Sequence, residues 1–219
     1  MKAMTLLSGG MDSATVLYYM INTVGKANCC AVSFQYPSKH NKYELLQGGR
    51  LCAFAGVQRR VIDVTSLFDE FESNLLQTGG AIPEGHYESE TMKQTVIPNR
   101  NMIFSSIAAG LAESLGIDQL WLGIHSGDHA IYPDCRPEFF NSLKQTLKYS
   151  TDGKVDCVAP FLDGDKTTIL NYGHEHGVPY AWTRTCYKDQ DESCGKCGAC
   201  QERLEAFANI GKEDPVEYA

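Results

Sequence analysis

Residues 2 to 7 alternate poorly between apolar and polar, are mostly apolar and run into a pair of glycines, the pattern of a strand buried on both faces of a parallel sheet. From residue 12 the period becomes helical. Val16, Leu17, Met20, Ile21 and Val24 share one face, and Gly25 ends the run. Residues 27 to 34 read as a second buried strand, followed by the polar and aromatic loop Tyr36-Pro37-Ser38-Lys39-His40; 43 to 55 is helical up to Gly56, and 59 to 64 is a third strand. A short helix is expected over 67 to 76. Residues 77 to 95 hold adjacent glycines, a proline and no clear period, which predicts a long loop of the kind used as a lid or binding loop. Asn99 or Asn101 suits the cap of a helix carrying Ile103, Ile107, Ala108, Leu111, Ala112 and Leu115 to Gly116. Then come a strand over 119 to 124, a helix over 137 to 148 with Pro137 in its first turn, a strand over 155 to 160, a helix over 166 to 175 and an extended piece over 178 to 182. This alternation predicts an α/β fold, a Rossmann-like doubly wound parallel sheet with right-handed crossovers and helices on both faces.

The first strand-to-helix junction carries chemistry. It reads Leu6-Leu7-Ser8-Gly9-Gly10-Met11-Asp12-Ser13-Ala14-Thr15-Val16. Two glycines let the backbone approach a ligand, and the N–H groups of the turn and of the helix start attract anions. No lysine follows the glycines, so this is not the usual phosphate loop, and the dinucleotide G-x-G-x-x-G is absent as well. What remains, S-G-G-x-D-S, resembles the PP-loop of the ATP pyrophosphatase superfamily, whose members release pyrophosphate and pass AMP to a substrate oxygen. An acidic side chain inside a phosphate cradle repels its ligand unless a divalent cation bridges them, so Asp12 suggests Mg²⁺. An ordinary strand-turn-helix corner is the plain alternative.

At 219 residues and 43% hydrophobic the chain suits one core-forming domain, and a net charge of -8 argues against a broad grip on nucleic acid. No apolar run reaches the length of a membrane span, and the first residues enter a strand with no basic region ahead of an apolar stretch. A cytoplasmic protein with small-molecule partners is expected. Nine cysteines are too many to ignore in a chain too core-rich to need a disulfide frame. Cys186, Cys194, Cys197 and Cys200 form C-x7-C-x2-C-x2-C, a spacing that suits a closed structural zinc site with Lys196 and Arg203 near enough to offset its charge. An iron–sulfur cluster takes the same ligands, although this spacing differs from the ferredoxin runs, and redox-active or buried thiols are a third reading. The expected organisation is an α/β domain over 1 to 183 with a metal-stapled segment over 184 to 219 packed on it.

Ligands of open parallel sheets bind outside the carboxyl ends of the strands, where the loops beginning at Ser8, Gln35, His125 and Phe161 converge. The loop from His125 to Glu138 is dense in reactive groups. Its Asp128, Asp134 and Arg136 are able to accept from an amidine-like edge or to clamp a carboxylate, with local turn capping as the alternative for each aspartate. Arg100 opens a helix, the wrong end for a cation, which makes sense if it holds a phosphate there and otherwise describes a solvated side chain. His40 and His129 are open between surface, packing and functional roles, whereas His174 and His176 belong to a helix end.

Together with Pro98-Asn99-Arg100-Asn101, Tyr132-Pro133-Asp134-Cys135-Arg136-Pro137-Glu138-Phe139, Thr185-Cys186-Tyr187 and the tail Asp214-Pro215, these strings resemble the QueC family of 7-cyano-7-deazaguanine synthases nearly from end to end. Pro37 stands where the family pattern has glycine. The resemblance implies an adenine nucleotide alpha hydrolase-like fold and a ligase that converts 7-carboxy-7-deazaguanine, ammonia and two ATP into the nitrile through an amide. It also suggests a homodimer, while the acidic charge adds the expectation of no direct nucleic-acid binding. On that reading Leu7, Ser8, Gly9, Gly10, Met11, Asp12, Ser13, Ala14 and Thr15 hold ATP and its Mg²⁺, with Asp12, Ser13, Arg100 and Arg136 catalytic. Asp128, Tyr132, Asp134 and Arg136 bind the deazaguanine, and Cys186, Cys194, Cys197 and Cys200 hold Zn²⁺.

Overall fold

The structure, a computed structural model, describes residues 1 to 219. Strands β1 (Ala3–Leu6), β2 (Cys29–Gln35), β3 (Gln58–Asp63), β4 (Gln119–Trp121) and β5 (Asp156–Val158) form one sheet in the order β3-β2-β1-β4-β5, with every neighbouring pair parallel. Ala3 stands opposite Cys29 on one side and Gln119 on the other, so β1 is central and fully paired. Helices α1 (Met11–Val24), α2 (Asn41–Ala55), α3 (Arg100–Leu115), α4 (Pro137–Ser150), α5 (Lys166–Glu175) and α6 (Gly198–Asn209) complete the fold.

The sheet divides the apolar interior in two. One core, including Met4, Val32, Leu120, Ala108, Ala112 and Leu143, lies under α3 and α4; the other, including Ala3, Leu7, Ala31, Val16, Leu17 and Leu170, lies under α1 and α5. Burial on both faces explains why β1 and β2 read as continuous rather than alternating apolar runs. The chain winds outward in opposite directions from β1, which places the topological switch point between β1 and β4, where ligands of such sheets bind.

Four local expectations change. No helix spans 67 to 76: a 3-10 turn, Thr65–Phe68, gives way to tight turns in which Ser73 accepts from the Leu75 N–H (3.2 Å) and Asn74 from the Gly80 N–H (2.9 Å). Such side-chain acceptors satisfy the backbone locally and compete with a helix. The 77 to 95 stretch is the long loop expected, mostly exposed but anchored by buried Ile82, Met92 and Thr95, a 3-10 turn at Glu90–Thr95, and the Lys39 ammonium donating to the carbonyls of Asn74, Gly79 and Gly80. The extended piece over 178 to 182 instead contains a 3-10 turn at Tyr180–Trp182, and the last cysteines lead into a helix that the sequence reading lacks, α6, capped by Cys197 and carrying Cys200 in its first turn. Asn99 starts α3, but its side chain makes no capping bond.

Candidate active site

The turn after β1 is held by its own small residues. Ser8 Oγ accepts from the Gly10 N–H (3.2 Å) and lies 3.1 Å from Ser13 Oγ, which donates to the Gly10 carbonyl (3.2 Å). Gly9 has φ +85°, and a Cβ there would sit 2.5 Å from the Glu44 carbonyl oxygen, so the close approach of α2 admits only glycine. Leu7, Ser8, Gly10, Asp12 and Ser13 line a cleft of about 210 Å³ at the switch point. Met11, Ala14 and Thr15 point elsewhere: all are fully buried, and the Thr15 hydroxyl pairs with Tyr180 Oη at 2.8 Å.

Arg100 and Asp128 also line the cleft, whereas Tyr132, Asp134 and Arg136 do not. The short turn at Pro133–Cys135 aims Asp134 at the start of α3, where its carboxylate accepts from the Asn101 N–H (2.9 Å) and its carbonyl from the Asn101 amide (3.0 Å). Asp134 therefore supplies from a distant loop the cap that Asn99 does not. Arg136 is exposed and donates through Nε to the His129 carbonyl (2.8 Å). The Tyr132 hydroxyl joins Thr95 Oγ1 (2.8 Å) to Tyr187 Oη (3.2 Å), and Tyr187 is the ring at the cleft wall.

Arg100 is tolerated at a helix start because acidic and phenolic groups surround it. Burial works against its charge, but Tyr36, Glu44 and Asp134 outweigh that and hold the guanidinium firmly protonated. Burial pushes the Tyr36 hydroxyl up to about 12, with Glu44 adding to the effect. Glu44 itself is largely but not fully buried; desolvation raises its carboxyl, yet His40 at 3.5 Å and Arg100 bring it below its ordinary value. His40 thus belongs to the cleft rather than to the surface.

The feature least visible in the sequence is a buried charge cluster at the floor. Lys166, only 6% exposed at the start of α5, reaches Asp12 Oδ2 at 3.2 Å and Glu202 Oε2 at 2.7 Å. Burial disfavours its ammonium, but Asp12 and Glu202 push its pKa up. Burial likewise raises the Asp12 carboxyl, and the charge of Lys166 together with its hydrogen bond overcomes this and leaves it lowered. For Glu202 burial wins over Lys166, so its carboxyl is raised. The missing phosphate-loop lysine is in effect supplied from the far end of the chain, beside the cradle. Asp12 Oδ1 remains buried without a partner, which suits a divalent cation on that oxygen.

His125, Asp128 and Glu202 bring their ligand atoms within 4.8 Å of one another. A metal ion fits poorly there. The Lys166 ammonium already sits against Glu202, and His125 Nδ1 accepts from the Gly127 N–H (3.1 Å), which leaves the ring proton on Nε2.

The four-cysteine cluster fits an ion well. All four sulfurs are buried and mutually within 4.8 Å, and Cys194 and Cys200 stand 4.0 Å apart, close to the roughly 3.8 Å edge of a tetrahedron with 2.3 Å metal–sulfur bonds. Backbone N–H groups of Lys188 and Cys194 donate to Cys186 Sγ, and those of Lys196 and Cys197 to Cys194 Sγ, as thiolates require. Hydrogen bonds from Cys197 and Cys200 draw the Cys186 thiol down, and those with Cys186 and Cys197 drive Cys200 up, the mutual repulsion that a bound cation relieves. Neither expected counter-charge serves. Lys196 is exposed, and Arg203 turns away into a fully buried pair with Asp214 (2.6 and 2.8 Å), also donating to Thr183 and Thr185. Lys188 is the cation on which Cys194 and Cys197 act.

The segment after residue 183 walls the cleft. It contributes Arg184, Thr185, Tyr187, Ala199 and Glu202, and the Arg184 N–H donates to the Gly9 carbonyl (2.8 Å) in the cradle itself. Sequence reasoning missed Lys166, Glu202, His125, Glu44 and Tyr187; for Glu202 the available signal was a carboxylate on a helix whose Ala199, Arg203, Ala206 and Phe207 form a buried stripe.

A doubly wound sheet with an S-G-G-x-D-S cradle at its switch point defines a PP-loop nucleotide-binding enzyme. The family model described as queuosine biosynthesis protein QueC matches residues 2 to 211. The chain belongs to that family, and its function lies in queuosine biosynthesis. The 7-cyano-7-deazaguanine synthase of Marinomonas sp. (strain MWYL1) is 46% identical over 217 residues, covering 99% of this chain and 98% of that one. The synthase of the archaeon Methanoregula boonei is 44% identical, covering 100% and 99%. Among solved structures, the U34-tRNA thiolase NcsA from Methanococcus maripaludis, with its [4Fe-4S] cluster, superposes with a TM-score of 0.51 at 14% identity, covering 96% of this chain and 65% of that one, a likeness of fold.

Proposed function

We propose that the enzyme converts 7-carboxy-7-deazaguanine and ammonia to 7-cyano-7-deazaguanine with two ATP, by adenylating in turn the two oxygens on one carboxyl carbon. The carrying observation is the pairing of the Ser8–Ser13 cradle with Lys166 and Arg100 in one cleft. In the first half-reaction a carboxylate oxygen attacks the α-phosphorus, pyrophosphate leaves toward the cradle N–H groups and Lys166, and ammonia displaces AMP to give the amide. In the second the amide oxygen is adenylated, and loss of AMP and protons from nitrogen forms the nitrile. Both halves need the same in-line geometry and the same compensation of phosphate charge, which fixed donors supply. Mg²⁺ on Asp12 Oδ1 would offset pyrophosphate charge.

Arg100, Asp128 and Glu44 are the groups facing the heterocyclic acid, the carboxylates accepting from its amidine edge; Asp134 and Arg136 support that wall from behind. The cysteine ion is zinc and structural: four sulfurs leave no open position, and a four-iron cube holds its thiolates farther apart than the 4.0 Å found. A cytoplasmic homodimer is the expected state, with Leu46, Phe54 and Val61 the exposed apolar side chains of α2 and β3 that support self-association, and light scattering tests it. No helix is long and apolar enough to cross a membrane.

Mass spectrometry of the product from 7-carboxy-7-deazaguanine, ATP and ammonium tests the reaction. Nitrile is expected. Accumulated amide would mean that the second adenylation does not occur, and unchanged acid would refute the whole reading.

A further inference from the structure

A second, narrow cavity of about 20 Å³ adjoins the cleft. Tyr87, Met92, Gly127, Ile131, Tyr132 and Gly198 line it alone, while Asp128, Tyr187, Ala199 and Glu202 line both spaces. Its size admits one molecule as small as water and nothing like a nucleotide. The constriction is built in. A Cβ on Gly198 would come within 2.7 Å of Met92 Sδ, and one on Gly127 within 2.5 Å of Glu202 Oε1.

The walls are polarised along their length. Glu205, Glu202 and Glu88 all bear on the half-buried Tyr87, and Glu88 and Glu205 are exposed, so the outer end is acidic and draws small cations. At the inner end stand Asp128 and Glu202, beside a fully buried His125 whose Nε2 lacks any hydrogen-bond partner and lies 3.4 Å from Asp128 Oδ2.

We propose that this cavity is the access path of the nitrogen nucleophile, and that the Glu202 carboxylate, held through Oε2 by Lys166 and turning Oε1 toward Gly127, meets ammonium at its inner end and takes the proton that frees ammonia. The proposal rests on the reading of ammonia as a substrate. A side entrance has a use here: a cleft of about 210 Å³ has to hold ATP and a heterocyclic acid together, and a small third reactant that arrives through the narrow cavity displaces neither. Glu202 reaches the junction because α6 begins at the cysteine cluster, so the metal staple also sets the inner end of the path.

The test uses two substitutions at Ile131, a buried residue of the narrow cavity outside the cleft, with melting temperature and metal content checking the fold. Ile131→Phe narrows the path and is expected to raise the ammonium KM about tenfold, while acid-dependent ATP–pyrophosphate exchange, measured without ammonium, stays at the wild-type rate. Ile131→Ala widens it and is expected to admit methylamine, whose nitrogen attacks the adenylated carbonyl carbon with loss of AMP and a proton, giving an N-methyl amide that the wild type does not form. An unchanged ammonium KM in the narrowed variant, or methylamine used equally by wild type and widened variant, would overturn the path and leave only an ordered water there. Absence of exchange in the wild type would remove the underlying reaction instead.

Discussion

The turn from Ser8 to Ser13 and the segment from Arg184 to Ala219 both wall the cleft, and opposite means hold them. The turn closes on itself with bonds five residues apart or fewer and needs only small side chains and a pressing neighbour helix. The segment has little apolar interior of its own. Four sulfurs and two buried arginines tie it down: Arg203 bonds to Asp214, Thr183, Thr185 and the Tyr180 carbonyl, and Arg184 donates to the carbonyls of Cys186, Lys188, Gln190 and Asp191. The lesson is that a phosphate site can be made of backbone, whereas a wall presenting Glu202 and Tyr187 from an otherwise loose tail has to be pinned.

Removing the ion should separate the two regions most sharply. Structural zinc supplies about 10 to 16 kcal/mol in small peptides, more than a typical domain's net stability, so chelation or Cys197→Ser should unfasten the segment. The expected outcome is trypsin cleavage at Lys188 or Lys196 with loss of turnover, and full protease resistance after verified metal loss would end the pinning idea. Next in size is Arg203→Met, which strands the buried Asp214 and should cost about 3 to 5 kcal/mol in urea unfolding. Changing Asp12 to Asn acts on the other region and should cost less stability than Arg203→Met, because Lys166 keeps Glu202 as a partner. Pyrophosphate release should nevertheless fall by about a hundredfold or more, since it removes a charge that matters while phosphate charge develops; wild-type release would exclude a cation role for Asp12.

The same contrast decides what the sequence could reveal. Alternating strand and helix periods, the glycine turn and the cysteine spacing are local patterns, and each appears in the fold where its residues stand. Lys166 carries no such mark: it opens an unremarkable amphipathic helix, and only the packing of α5 against α1 brings it 3.2 Å from Asp12. Asp134 and Arg136 were drawn toward substrate by the polar density of their loop, but density does not say which way a turn faces. The 3-10 turn at Pro133–Cys135 commits Asp134 to the backbone of α3. Asn99 fails as a side-chain cap for the same reason, because a better acceptor arrives from outside the local sequence.

The smallest expected effect distinguishes the charged wall of the cleft from the pinned segment by pH. Glu44 is largely buried and its carboxyl is lowered: desolvation opposes its charge, but His40, Arg100 and Asn41 outweigh it. A carboxylate whose folded pKa lies below its unfolded value of about 4.3 contributes stability that is fully present above that value and lost as pH falls through the folded pKa. Glu44→Gln should therefore cost about 1 kcal/mol at pH 7, through weakened bonds to Tyr36, Asn41 and His40. Wild type and variant should then converge below about pH 4. Acid also protonates the cysteine thiolates and releases their ion, but it does so in both proteins, so the difference between their urea curves isolates the cleft. A gap that stays constant down to acid pH would mean that Glu44 is held by shape alone, and that the cleft owes its order to packing as the cradle does.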